Sequence, residues 1–263
     1  MKLIKWKDLD VLISEADLVL EVVEARNPIA TRCKTVEKMV KKKGKNFVII
    51  LNKCDLVPAK VCRAWVEYLN SSEGISALCF SSKISNTKRQ LKKMIKSLTI
   101  TAPILVAVVG YPKVGKSSLI NTLKGKSSAP TSPYPGSPGY TKVIQTYKIA
   151  PGIYLIDTPG IIPVHGEDVE LQIRKQSIEK IDNPIPLASK LIKYILENNK
   201  NAFVETYGIK GEDPLKILDD LARIRGWFAG KEKEPYILES ARAIIRDYLR
   251  GKIRTYVLPP NTP

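Results

Sequence analysis

Residues 104–121 read ILVAVVGYPKVGKSSLIN, an apolar β-branched run that stops at Gly110, then a short loop, then a helical pattern from Lys116. Few features constrain a chain more. The spacing fits G-x-x-x-x-G-K-[ST] with a strand before the loop and a helix after it. Gly110 and Gly115 let backbone N–H groups turn inward around phosphate oxygens, and the following helix points its positive end at the same place. Gly110, Tyr111, Pro112, Lys113, Val114, Gly115, Lys116, Ser117 and Ser118 are therefore candidate phosphate-binding residues. Lys116 is placed to reach β- and γ-phosphates, and the Ser117 hydroxyl to ligate Mg²⁺.

About 40 residues on, YLIDTPGI (154–161) ends a second apolar strand at Asp157. A carboxylate there can hold Mg²⁺ through water, and the Gly160 N–H can contact a γ-phosphate. D-T-P-G alone also makes an ordinary turn. Its place after the phosphate loop, across a proline-rich segment at 126–140, gives it weight. Just after that segment Thr141 is the candidate second Mg²⁺ ligand, with Thr131 within it as a fallback, because a single threonine beside such a loop carries little specificity. Lys116, Thr141 and Gly160 are thus the candidates for the chemical step.

The third motif lies upstream. IILNKCDLVP (49–58) places Asn52, Lys53 and Asp55 after a buried-type strand. The two Asp55 oxygens can accept from the N1–H and 2-amino groups of guanine. Adenine offers an acceptor at N1 and would leave a buried carboxylate unpaired, a penalty of roughly 1–3 kcal/mol. Asn52 would brace the loop, and the Lys53 stem would cover the base. CFSSK (79–83) ends another strand, so Ser81, Ser82 and Lys83 are expected to add a second base contact. In ordinary GTPases the base-reading motif follows the phosphate loop; here it precedes it. Because parallel sheets hold ligands at the carboxyl ends of their strands, moving the chain ends leaves that site intact.

Strand patterns at 16–25, 46–52, 75–82, 103–110, 141–150 and 152–158 alternate with helical ones, which predicts a mainly parallel α/β sheet covered on both faces. Beyond residue 165 the strand signal fades. Residues 167–181, 187–199, 213–226 and 237–252 read as amphipathic helices. The expected organisation is a nucleotide-binding domain at 1–165 and a small helical domain at 166–263.

Residues 1–160 carry 26 Lys and Arg against 11 Asp and Glu, whereas 161–263 carry 17 against 15. A basic surplus of this kind suits a polyanionic partner, although a lysine-rich solvated surface would look the same. No apolar run reaches membrane-span length, and the first ten residues are too charged for a secretory leader. Cys33, Cys54, Cys62 and Cys79 lack metal-site spacing and sit among apolar neighbours. A cytoplasmic protein with reduced thiols and no membrane partner is expected.

With these motifs in place, the sequence resembles the circularly permuted GTPases of the YlqF/YawG group, which includes ribosome biogenesis GTPase A. The likeness rests on EARNPIATRC (24–33), NKCD (52–55), SSK (81–83), GYPKVGKSSLIN (110–121), PGYT (138–141), DTPGI (157–161) and the tail ARAIIRDYLRGKI. It implies GTP/GDP as ligand with Mg²⁺, GTP hydrolysis coupled to assembly of the large ribosomal subunit, and rRNA as a partner. DNA is not implied, and a monomer is expected.

Two departures stand out. Members often carry Asn at the position of Lys113, where it helps hold a stimulatory potassium ion. A lysine cannot ligate a cation, so potassium stimulation stays open. Some members use an N-terminal catalytic histidine, and the sole histidine here, His165, follows the D-T-P-G loop instead. Ile161 stands where many GTPases have a water-orienting glutamine, which implies slow intrinsic turnover. Two other readings fit the residues: a GTP-dependent RNA-binding module with incidental hydrolysis, and a signalling GTPase with a protein partner. In the tail, Arg242, Arg246 and Arg250 are expected to line one helical face.

Overall fold

The structure, a computed structural model, describes residues 5–98, 103–124, 145–157, 164, 166–230 and 234–260. Thr131, Thr141, Gly160, Ile161 and His165 lie outside them. The chain divides into two compact units, Met1–Pro163 with Leu258–Pro263, and Val164–Val257.

The first unit opens with a helix the sequence reading did not anticipate, α1 (Trp6–Glu15), which buries Leu9, Leu12 and Ile13. Six strands follow: β1 (Leu18–Glu24), β2 (Asn46–Asn52), β3 (Ser76–Phe80), β4 (Ile104–Val109), β5 (Gln145–Ala150) and β6 (Ile153–Asp157). They form one sheet in the order β3-β2-β1-β4-β6-β5. Every pairing is parallel except β5 with β6. β5 and β6 are joined at Pro151-Gly152, where Gly152 takes a φ of +72°, a left-handed conformation that costs glycine little. The mainly parallel sheet is as the sequence implied.

β1 and β4 lie at the centre, and every residue of both is buried. That is why they read as continuous apolar runs rather than alternating ones. Helices α2 (Pro28–Thr31), α3 (Lys34–Lys42), α4 (Ala59–Ser72), α5 (Ser85–Leu98) and α6 (Lys116–Lys124) occupy the connections. Each of α3 to α6 turns an apolar stripe inward, such as Val61, Cys62, Trp65 and Leu69 on α4. In-register pairs such as Val23 with Leu51, Leu51 with Cys79 and Val108 with Asp157 bring five strand C-termini to one edge.

The second unit is chiefly helical: α7 (Val169–Gln172), α8 (Ile185–Asn198), α9 (Ala202–Tyr207), α10 (Pro214–Arg225) and α11 (Ile237–Arg250), with a two-stranded ribbon of β7 (Phe228–Ala229) and β8 (Glu234–Pro235). Its core joins Leu191, Ile192, Ile195, Leu218, Ile244 and Ile245. Gly226 and Gly251 end α10 and α11 in left-handed caps. The continuous helix expected over 167–181 is broken into α7 and a 3-10 turn at Ile178–Lys180. Arg174 is fully buried and donates to the Glu170 carboxylate, which also accepts from the Tyr248 hydroxyl. The expected arginine face of α11 is only partly solvated. Arg250 is exposed, Arg242 and Arg246 are half-buried, and Arg246 pairs with Glu239 at 3.5 Å.

Candidate nucleotide-binding site

The loop after β4 needs its glycines. Gly110 has φ +139° and Gly115 φ +100°. A Cβ on Gly110 would lie 2.4 Å from the Val22 carbonyl oxygen, and one on Gly115 would lie 2.2 Å from Asn52 Nδ2. Lys113 takes φ +60°, a conformation uncommon outside glycine. Tyr111, Pro112 and Val114 are buried, while Ser117 and Ser118 are exposed at the start of α6. The Lys116 ammonium donates to the carbonyls of Gly110 (2.7 Å) and Tyr111 (2.8 Å), so it lies over the loop.

The two upstream motifs meet this loop across the sheet edge. Asn52, buried at the end of β2, donates from Nδ2 to the Val114 carbonyl at 2.7 Å. Lys53 then takes a left-handed φ of 60° and leads into a 3-10 turn, Cys54–Leu56, that carries Asp55. One Asp55 oxygen accepts from Ser81 Oγ at 2.6 Å and the other meets Lys83 Nζ at 2.9 Å. Burial works against this carboxylate, but the Ser81 hydroxyl and the Lys83 ammonium outweigh it and hold its pKa below the usual range. Asp55, Ser81 and Lys83 thus converge on one cluster. Ser82 is exposed, and no hydrogen bond of its side chain to the cluster occurs among the described residues.

Sequence reasoning missed two supports. Glu24, fully buried at the end of β1, accepts from Lys53 Nζ (2.8 Å) and from Arg26 Nε (2.7 Å). Its carboxylate therefore fixes the lysine that precedes Asp55 by two residues. Thr87, near the start of α5, places its hydroxyl 2.9 Å from the Ser81 carbonyl and 2.7 Å from that of Ile84. The same hydroxyl accepts from Ser81 N at 3.3 Å. It locks the turn that presents Ser81. Glu24 was visible in E-A-R-N-P as a motif letter without a role, and Thr87 carried no signal beyond a helix N-terminus.

Asp157 ends β6 in register with Val108, two residues before Gly110. Its backbone therefore reaches the edge where the phosphate loop begins. Serine and aspartate, the residue types at 117 and 157, are of the kind whose hard oxygens Mg²⁺ takes.

A phosphate loop on the central strand, with base-reading elements on strands that precede it in the chain, defines a circularly permuted P-loop GTPase domain. A family profile described as "50S ribosome-binding GTPase" matches residues 105–219. Nucleolar GTP-binding protein 2 of Yarrowia lipolytica is 36% identical over 97% of this chain and 51% of its own length. The Saccharomyces cerevisiae protein of that name is 36% identical over 97% and 53%. The chain spans about half the length of the curated relatives it matches. Among solved structures, GNP-bound YlqF from T. maritima superposes with a TM-score of 0.68 at 25% identity, covering 98% of both chains. Its GDP-bound form gives 0.69 at 24% identity over 97% of this chain and 100% of that one. In fold and in the order of its motifs the chain is similar to these circularly permuted GTPases.

Proposed function

We propose that this chain binds and hydrolyses GTP, and that it acts in assembly of the large ribosomal subunit. The observation that carries the first half is Asp55, held by Ser81 and Lys83 at the same sheet edge as the glycine-bracketed loop. In this reading its carboxylate accepts from guanine, Asn52 ties the base-reading turn to the phosphate loop, and the Lys53 stem, steered by Glu24, covers the base. Ser81, Ser82 and Lys83 flank the base, the loop N–H groups of 110–118 and Lys116 hold phosphates, and Gly160 contacts the γ-phosphate. Ser117, Thr141 and Asp157 would hold Mg²⁺, which supplies charge neutralisation at the phosphates when bound. Ile161 cannot hydrogen-bond a water, so intrinsic turnover is slow and a partner completes the site.

The ribosomal half of the proposal draws on the relatives named nucleolar GTP-binding protein 2, on the 50S-binding description of the family profile, and on the basic surplus of residues 1–160. No helix among the described residues is long and apolar enough to cross a membrane. The compartment proposed is the one where large subunits are built, the cytoplasm in a cell without a nucleolus. Co-sedimentation with purified subunits under GDP and a non-hydrolysable GTP analogue tests this, together with GTPase rates with and without subunits. Nucleotide-dependent association with large subunits and a faster rate are expected. A rate and a sedimentation profile indifferent to subunits would overturn the ribosomal assignment.

A further inference from the structure

Helix α5 leaves the base-contacting turn directly and carries five cations, Lys88, Arg89, Lys92, Lys93 and Lys96, with no acidic residue in Ser85–Leu98. At about 100° per residue the five span an arc of roughly 140°. The opposite arc holds Thr87, Leu91 and Ile95, which are buried against the first unit. Some cations elsewhere on this unit have partners: Lys34 meets Glu37 and Glu73, Lys43 meets Asp10, and Arg32 is gripped by Glu37 and Glu73. Among the described residues, Lys88, Arg89, Lys93 and Lys96 form no ion pair, and Arg89, Lys93 and Lys96 are exposed.

This arrangement works against the helix. Like charges four residues apart repel, and Lys88, Lys92 and Lys96 stand in such a row. Lys92 shows the strain. It is half-buried with its ammonium on the Ile149 carbonyl at 2.9 Å, and its pKa is lowered by burial and by the charges of Lys88 and Lys96. A solvated helix face gains nothing from being uniformly positive. A face that meets a polyanion does.

We propose that the exposed face of α5 is a docking surface for the phosphate backbone of RNA. The proposal rests on the ribosomal reading above and names where the first unit meets rRNA. Arg89, Lys93 and Lys96 lie within about 60° of one another and span roughly 10 Å of helix axis, so they can address successive phosphates of one strand. The remaining exposed residues of the helix are Ser85, Asn86, Gln90 and Ser97. Hydroxyl, amide and cationic groups are those that contact phosphates. A protein partner would call for an aromatic or aliphatic anchor, and lysine is depleted at such interfaces. A membrane surface would call for apolar side chains to insert. The exposed face of α5 has neither.

The test compares the full chain with a K88Q/R89Q/K93Q/K96Q variant and with a charge-preserving K88R/K93R/K96R variant. Binding to bare rRNA extracted from purified large subunits, and to the intact subunits, is measured across a potassium chloride titration. Each lost phosphate contact lowers the slope of log affinity against log salt by roughly 0.7–0.9. The Gln variant is expected to lose about 2–3 from that slope, the Arg variant to keep it, and both to hydrolyse GTP at the parental rate. If the parent binds rRNA and the Gln variant binds with the same slope, α5 is a solvated face and the surface is refuted while the ribosomal reading stands. If the parent binds neither rRNA nor subunits, the ribosomal reading fails and this one with it. Weaker binding to subunits with unchanged binding to bare rRNA would also overturn it, and would assign the face to an acidic protein.

Discussion

Glu21 sits in the middle of β1 with no exposed surface, one oxygen accepting from Cys33 N at 2.5 Å. The other oxygen has no hydrogen-bond partner among the described residues. Burial, then the charge of Glu37, raises its pKa from 4.5 to about 8, against the Cys33 N–H and the charges of Arg32 and Lys34. At pH 7 the native carboxyl is therefore protonated, while the unfolded one is ionised. The native state binds the extra proton, so the Glu21 contribution to stability is full below pH 4.5 and is lost as pH rises toward 8. At about 1.4 kcal/mol per unit, a gap of 2.5 units between 4.5 and 7 corresponds to about 3 kcal/mol. Glu21→Gln removes the titration. It also buries an amide N–H pair, an offset that does not vary with pH. The stability of Glu21→Gln relative to the parent should thus rise by about 3 kcal/mol between pH 4.5 and pH 7. Urea unfolding followed by the fluorescence of Trp6 and Trp65, in a Trp227→Phe background so that the second unit contributes no tryptophan signal, measures it. A difference that stays flat across this range would show that Glu21 titrates as it does in the unfolded chain.

Three further outcomes follow from the site. Asp55→Asn should weaken GTP binding and improve binding of xanthosine triphosphate, whose 2-oxo group can accept from the new amide; equal affinities of parent and variant for both nucleotides would remove Asp55 from the base. Gly115→Ala drives a methyl against Asn52 Nδ2 at a φ of +100°, so GTP affinity in a titration should drop tenfold or more, roughly 1.4 kcal/mol, with the helical unit still folded by circular dichroism. Thr87→Val keeps the shape of the side chain but strips the hydroxyl from the Ser81 turn, which should cost roughly 1–3 kcal/mol of stability and raise the Kd for GDP; an unchanged Kd would mean the Ser81 turn holds without it.

The parts of the site set by backbone were legible. Gly110 and Gly115 had to be glycine for steric reasons, and Asn52, Lys53 and Asp55 had to follow a buried strand, so spacing alone placed them at one sheet edge. Side-chain support was not legible. Nothing in E-A-R-N-P says that Glu24 will reach Lys53, 29 residues later, because that contact depends on β1 and β2 pairing in register from Leu18 with Asn46. Periodicity failed where burial and polarity part company. It overlooked α1 because charged residues at 2, 5, 7, 8 and 10 crowd the Leu9-Leu12-Ile13 stripe. It ran one helix through 167–181 because no glycine or proline marks the end of α7 at Gln172. It gave Arg242 and Arg246 more solvent than they have, because a long arginine stem packs as readily as an aliphatic chain. α9 and the β7–β8 ribbon are too short to carry a period.

The strand order has a cost in time. β1 emerges from synthesis before β2 and can pair with it as that strand follows, but its other edge belongs to β4, with Leu18 opposite Val106. At 5–20 residues per second the ribosome takes about 4–18 s to supply that partner. Meanwhile a strand reading LVLEVVE, destined for the interior, presents an open ladder of hydrogen-bonding groups, which is a template for aggregation. Glu21 and Glu24 lie on that strand. While solvated, both carboxylates are ionised and like-charged edges repel. Once β4 closes over β1, Glu21 takes up a proton and Glu24 is neutralised by Arg26 and Lys53. Charge protects the strand while its edge is open, and burial then silences it.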